Sequence, residues 1–166
     1  MPSATESILQ SHHLALTNNA AAEAEVAQFV GDDWILHPDL ATVTGGRVFV
    51  ASEAPPHPDL EVRDSVAILQ FTSEEQITSS ELESAVKAES QWARYAKASV
   101  IPINARTYLI DAHYSLEDIA YHSLTLYALD PTQLHLLQVT ATFVSKAAVP
   151  NAFRAFLSEL PELLGW

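Results

Sequence analysis

The stretch NARTYLIDAHYSLEDIAYHSLTLYALDPTQLHLLQVTATFVS, Asn104 to Ser145, decides the fold. It reads as three consecutive antiparallel strands. Asn104 to Ser115 and Ala120 to Leu129 are rich in Tyr, Ile, Leu and Thr, residues that suit a pleated, half-buried surface. A two-residue turn at Glu117-Asp118 closes a tight hairpin, although the favoured Asn-Gly or Asp-Gly pair is absent. That register sets Leu116 opposite Ile119, Tyr114 opposite Tyr121, His113 opposite His122 and Tyr108 opposite Tyr127. Like then faces like, and directly opposed side chains are the unit of sheet stabilisation. A slip of one residue would send every side chain of a strand to the other face.

Asp130-Pro131-Thr132-Gln133 supplies the next turn, and Leu134 to Ser145 returns as the third strand. Its alternation places Leu137, Val139, Ala141 and Phe143 on one face with Leu124 and Leu126. Leu136, Gln138, Thr140, Thr142 and Val144 share the other with Tyr108, Tyr114, Tyr121 and Tyr127. One face is a plain core and the other is mixed and aromatic, which calls for cover on both sides.

Upstream, Ser3 and Glu6 have capping-box spacing ahead of Ile8, Leu9, His12, Leu14 and Leu16, which predicts a short first helix. Ala20 to Val30 predicts a second helix ended by Gly31. Residues 1–31 thus read as a helical arm before a single α+β domain over 32–166. Ala41 to Thr44 and Arg47 to Ser52 flank a Gly45-Gly46 hairpin turn, and the prolines of 53–61 mark a loop. Ser65 to Thr72 is a central strand. Ser80 and Glu83 cap a helix whose apolar stripe runs from Leu82 through Glu89, Trp92 and Ala96 to Lys97. Pro150-Asn151 starts the last helix, which Pro161 should interrupt. The expected fold is an antiparallel sheet of about five to six strands covered by helices.

Composition narrows the partners. The chain of 166 residues has 8 basic and 21 acidic side chains, a net charge of −13, and no cysteine. Such a surface repels nucleic acid and anionic membranes and favours a basic protein partner. Thiol chemistry is excluded. No apolar run approaches the roughly 20 residues of a membrane span. The first residues lack the basic and apolar regions of a signal peptide, which predicts a cytoplasmic location, or the cell envelope if a leader has been trimmed.

Two constellations could carry chemistry. Asp111, His113 and His122 share one sheet face and are the candidate metal ligands, of zinc type. On residue types alone they read first as partly buried, hydrogen-bonded histidines beside Leu124, with no metal. Tyr108, Tyr114, Tyr121 and Tyr127 are the candidate lining of a groove for an apolar, lipid-like ligand, against the simpler reading of amphipathic tyrosines under a helix. No nucleophile elbow, phosphate-cradling glycine loop or H-E-x-x-H motif is present, so no catalytic residue and no cofactor is assigned.

Arg106-Thr107-Tyr108, the Tyr114 to Tyr121 hairpin, Tyr127 and above all Leu137-Gln138-Val139-Thr140-Ala141-Thr142 resemble the mycobacterial lipoprotein LpqN family over roughly residues 32 to 160. The resemblance implies a PsbP-like α/β/α sandwich and an accessory role in actinobacterial envelopes, binding membrane transport machinery or lipid-like molecules without an active site. The chain differs from that family in lacking a lipoprotein signal with an acylated Cys and in its Glu-Asp hairpin turn. The expected function is a non-enzymatic adaptor for a protein partner. A small apolar-ligand carrier comes second, and a metal-dependent hydrolase last.

Overall fold

Pairing of the predicted hairpin is the core of the architecture. A computed structural model of the chain describes residues 2–36, 46–51, 63–144 and 150–166. The elements run α1 (Ala4–Leu9), β1 (Leu14–Thr17), α2 (Ala20–Val30), β2 (Trp34–Leu36), β3 (Arg47–Ala51), β4 (Ser65–Ser73), α3 (Ser79–Ser90), β5 (Tyr95–Asn104), β6 (Thr107–Leu116), β7 (Ile119–Leu129), β8 (His135–Phe143) and α4 (Pro150–Leu163). The strands form one antiparallel sheet of eight, in the order β2-β3-β4-β8-β7-β6-β5, with β1 also paired to β4. The fold is α+β as expected, and the sheet is larger than five to six strands.

The β6–β7 register is the one read from the sequence: Leu116 faces Ile119, Tyr114 faces Tyr121, His113 faces His122 and Tyr108 faces Tyr127. Glu117 and Asp118 turn the hairpin with φ of 50° and 66°. Both therefore occupy the left-handed region that glycine and asparagine fill more cheaply.

Helices cover both faces. Leu109, Leu124, Leu126, Leu137, Val139 and Phe143 pack with Ala22 and Val26 of α2 and with Phe153, Phe156, Leu157 and Leu160 of α4. On the opposite face Tyr108, Ile110, Tyr127, Leu129 and Leu136 pack with Ala4 and Ile8 of α1 and with Leu82, Ala85 and Val86 of α3. Each fully buried large apolar side chain contributes about 1.5–3 kcal/mol. Two such layers make the sheet a shared wall between two cores.

Four expectations need correction. Leu14 and Leu16 do not continue a helix; α1 stops at Leu9 and residues 14–17 add a strand along β4. Helix α1 is only six residues long, and Leu14–Thr17 instead pairs residue for residue with Ser73, Thr72, Phe71 and Gln70 of β4. The Ser80–Glu83 cap is displaced by Thr78, whose side chain accepts from the Glu81 N–H while Glu81 reaches back to the Thr78 N–H at 2.7 Å. Ile77, just before that cap, is fully buried with Leu82, the fixing contact of a hydrophobic staple.

The long helix also ends sooner than its stripe suggests. The Gln91 N–H closes on the carbonyls of Ala88 and Glu89, and Tyr95–Asn104 becomes the edge strand β5, so Trp92 and Ala96 lie beyond the helix. Val100, Ile101 and Ile103 favour the pleat there. Pro102 is tolerated because an edge strand leaves one side unpaired, and the register shifts beside it. The central meander is therefore four strands. Finally, Pro161 does not interrupt α4, which runs to Leu163 with Pro161 buried inside it. The lost N–H bond is offset locally by burial of the ring, and Leu164 still donates to the Leu160 carbonyl at 3.0 Å. The expected turn at Gly45, the proline loop of 53–61, His37 and His57 fall outside the described residues.

Candidate functional site

Period-two alternation puts Asp111 and His113 of β6 on the α4 side of the sheet, and the hairpin register delivers His122 of β7 beside them. His122 Nε2 lies 2.6 Å from Asp111 Oδ1, and His113 Nε2 lies 3.8 Å from the same oxygen. The imidazole rings stack with centroids 4.0 Å apart and planes 18° from parallel. Phe143 closes the inner edge of His122 in an edge contact at 6.1 Å. The second carboxylate oxygen, Asp111 Oδ2, accepts from Arg154 of α4. All three candidate ligands read from the sequence are thus brought together.

The electrostatics follow from this packing. Partial burial pushes the Asp111 carboxyl up, but hydrogen bonds from Arg154 and His122 outweigh it and hold the group below its ordinary value. Partial burial, with His122 close by, lowers His113 below the usual histidine range. Both shifts favour the ionised carboxylate and the neutral imidazole.

The tyrosine stripe divides. Tyr127 is fully buried and donates to Glu89 Oε2 at 2.6 Å. The same oxygen accepts the Ala4 N–H at 2.9 Å, which ties α1, α3 and β7 together. Desolvation raises the Glu89 carboxyl despite both bonds, and raises Tyr127 well above its ordinary value. Tyr108 is buried as well. Tyr114 and Tyr121 are half-buried at the hairpin end, stacked at 5.1 Å. Arg94 lies 4.1 Å over the Trp92 ring and 5.6 Å from each of the Tyr95 and Tyr114 rings. Burial and nearby Glu89 push the Tyr95 hydroxyl up to about 12. Among the described residues, the stripe is roofed at Tyr108 and Tyr127 and opens only at Tyr114 and Tyr121.

His12 and His135 have structural partners. His12 Nε2 meets Glu81 Oε1 at 3.0 Å, away from His13. His135 Nδ1 meets Asp130 Oδ2 at 3.1 Å, and Asp130 also accepts from Thr132 and from the backbone of Leu134 and His135. Ser123 is buried on the opposite face from His122, as strand alternation requires.

Sequence reasoning missed Arg154 and Glu89. Arg154 is the single base after Lys146, and Glu89 is an acid inside an apolar helical stripe. Both are signals in hindsight, but neither names its partner.

No protein-family profile and no curated protein sequence matches the chain. A solved structure does: LpqN of Mycobacterium tuberculosis, described as involved in cell envelope biogenesis, superposes with a TM-score of 0.57 at 13% identity, covering 86% of this chain and 79% of that one. No helix among the described residues is long and apolar enough to cross a membrane. The chain shares the fold of LpqN, in line with the resemblance carried by its strands.

Proposed function

We propose that this chain is a non-enzymatic binding domain that engages a basic protein partner of the cell envelope or of membrane transport machinery. The likeness to LpqN carries this reading. Two features support it. Asp111, Asp130 and Glu89 all serve as acceptors for named donors within the fold, which suits a scaffold. The edge strand β2 exposes Ile35 at 52% and Leu36 at 39%, an apolar patch on an acidic molecule with a net charge of −13. Edge strands of this kind recruit partners by main-chain pairing with side-chain pockets adding choice.

Affinity capture from detergent-extracted envelope membranes tests the reading. The expected result is a basic protein retained at low salt, released as ionic strength rises, and lost with Ile35→Asp. Retention that ignores both salt and Ile35→Asp overturns it. An apolar molecule co-purifying in native mass spectrometry would favour a carrier instead.

A further inference from the structure

We propose that Asp111, His113 and His122 form a binding site for a divalent first-row transition ion of the zinc class. Their ligand atoms all lie within 4.8 Å of one another, drawn from two adjacent strands. Donors on a tetrahedral zinc ion, bound at about 2.0–2.1 Å, stand roughly 3.3 Å apart. The observed separations from Asp111 Oδ1, 2.6 Å to His122 and 3.8 Å to His113, bracket that value.

A hydrogen-bonded pair accounts for His122 but not for His113. His113 Nε2 is beyond hydrogen-bond reach of Asp111, yet it stands near the same oxygen. The two ring planes are nearly parallel, so one imidazole has to turn for both in-plane lone pairs to reach a shared ion. Two imidazoles and one carboxylate select zinc, cobalt, nickel or copper over calcium and magnesium, which want oxygen shells. His113 is half exposed, with 49% of its side chain accessible, so an ion enters from solvent and keeps water in its remaining positions. Arg154 holds Oδ2 and leaves Oδ1 as the single donor of Asp111, the kind of outer contact that orients a metal ligand. Its charge also lowers affinity, because the guanidinium shares the carboxylate that the ion would use.

The test is calorimetric titration of zinc chloride into the purified, tag-free full chain, with cobalt(II) as an optical probe. One zinc ion should bind, and cobalt should give a visible ligand-field band. His113→Ala should weaken zinc at least tenfold and remove the band, while His12→Ala leaves both unchanged. Near-UV circular dichroism checks that the His113 variant keeps its packing, and His113→Gln replaces it if it does not. Equal zinc affinity in wild type and the His113 variant overturns the proposal. So does loss of binding in His12→Ala, or the absence of both heat and band in the wild type.

Discussion

The Tyr127 hydroxyl and the Glu89 carboxylate meet at 2.6 Å inside the layer between the sheet and α1 and α3. A buried hydroxyl left without its acceptor costs about 1–3 kcal/mol. Glu89→Ala should therefore destabilise the fold by at least that amount, since the Ala4 N–H loses its acceptor too. Glu89→Gln keeps an acceptor oxygen and should cost less than Glu89→Ala. Urea unfolding of the two variants checks the order.

The same pair has a pH signature. Burial raises the Glu89 carboxyl in the folded state, so its protonated form is favoured there. Its contribution is fully present below the ordinary carboxylate pKa of 4.5 and is lost as pH rises through the raised folded value. Glu89→Gln should remove this dependence. Unfolding midpoints of both proteins across pH 4 to 8, about the range where carboxylates of this kind titrate, should diverge at the alkaline end in favour of the glutamine.

Asp130 acts in the opposite direction. Desolvation pushes its carboxyl up, but bonds from Thr132 and His135 outweigh this and lower it below the ordinary 3.8. Its stabilisation is present above 3.8 and is lost as pH falls through the lowered folded value. Asp130→Asn should flatten the acid limb of the stability profile while opening the β7–β8 turn. Amide exchange of Leu134 and His135, whose N–H groups donate to Asp130 at 3.2 and 3.1 Å, should accelerate.

Asp118 adopts φ of 66° without being glycine. Asp118→Gly should relieve that conformation and stabilise the hairpin by roughly 0.5–1 kcal/mol, a rise of about 1–4 °C in Tm for a chain of this size. A fall in Tm would mean that the aspartate side chain contributes to the turn.

Gly46 has no such freedom to give. A Cβ there would stand 2.3 Å from the Ile68 carbonyl oxygen and 2.5 Å from Leu69 Cδ2. Gly46→Ala should push β3 off β4 and cost on the order of 1–3 kcal/mol, the range for overpacked sites. Thermal unfolding measures it.

The parts of the fold legible in the sequence are those set by local alternation. The β6–β7 register, the two faces and the Asp111–His113–His122 grouping all follow from period two and one tight turn. Competition between equally good local signals hid other parts. Thr78 and Ser80 both have an acid three residues on, and only the burial of Ile77 chooses between them. Leu14 and Leu16 suit a helix or a strand, and the free edge of β4 decides. Arg154 and Glu89 were beyond reach for a different reason. Their partners lie 43 and 38 residues away, Asp111 and Tyr127, and such pairs are fixed only when the layers close.

The short strand Leu14–Thr17 lies on the same margin of β4 that β3 uses further along. Only with both in place is the length of β4 zipped on that side. Proteolytic clipping before Ala20 would bare the β1-facing backbone groups of this end of β4 and should invite chain-to-chain stacking. Residues 4–17 thus cover both a core face and a backbone margin, and their loss should promote self-association.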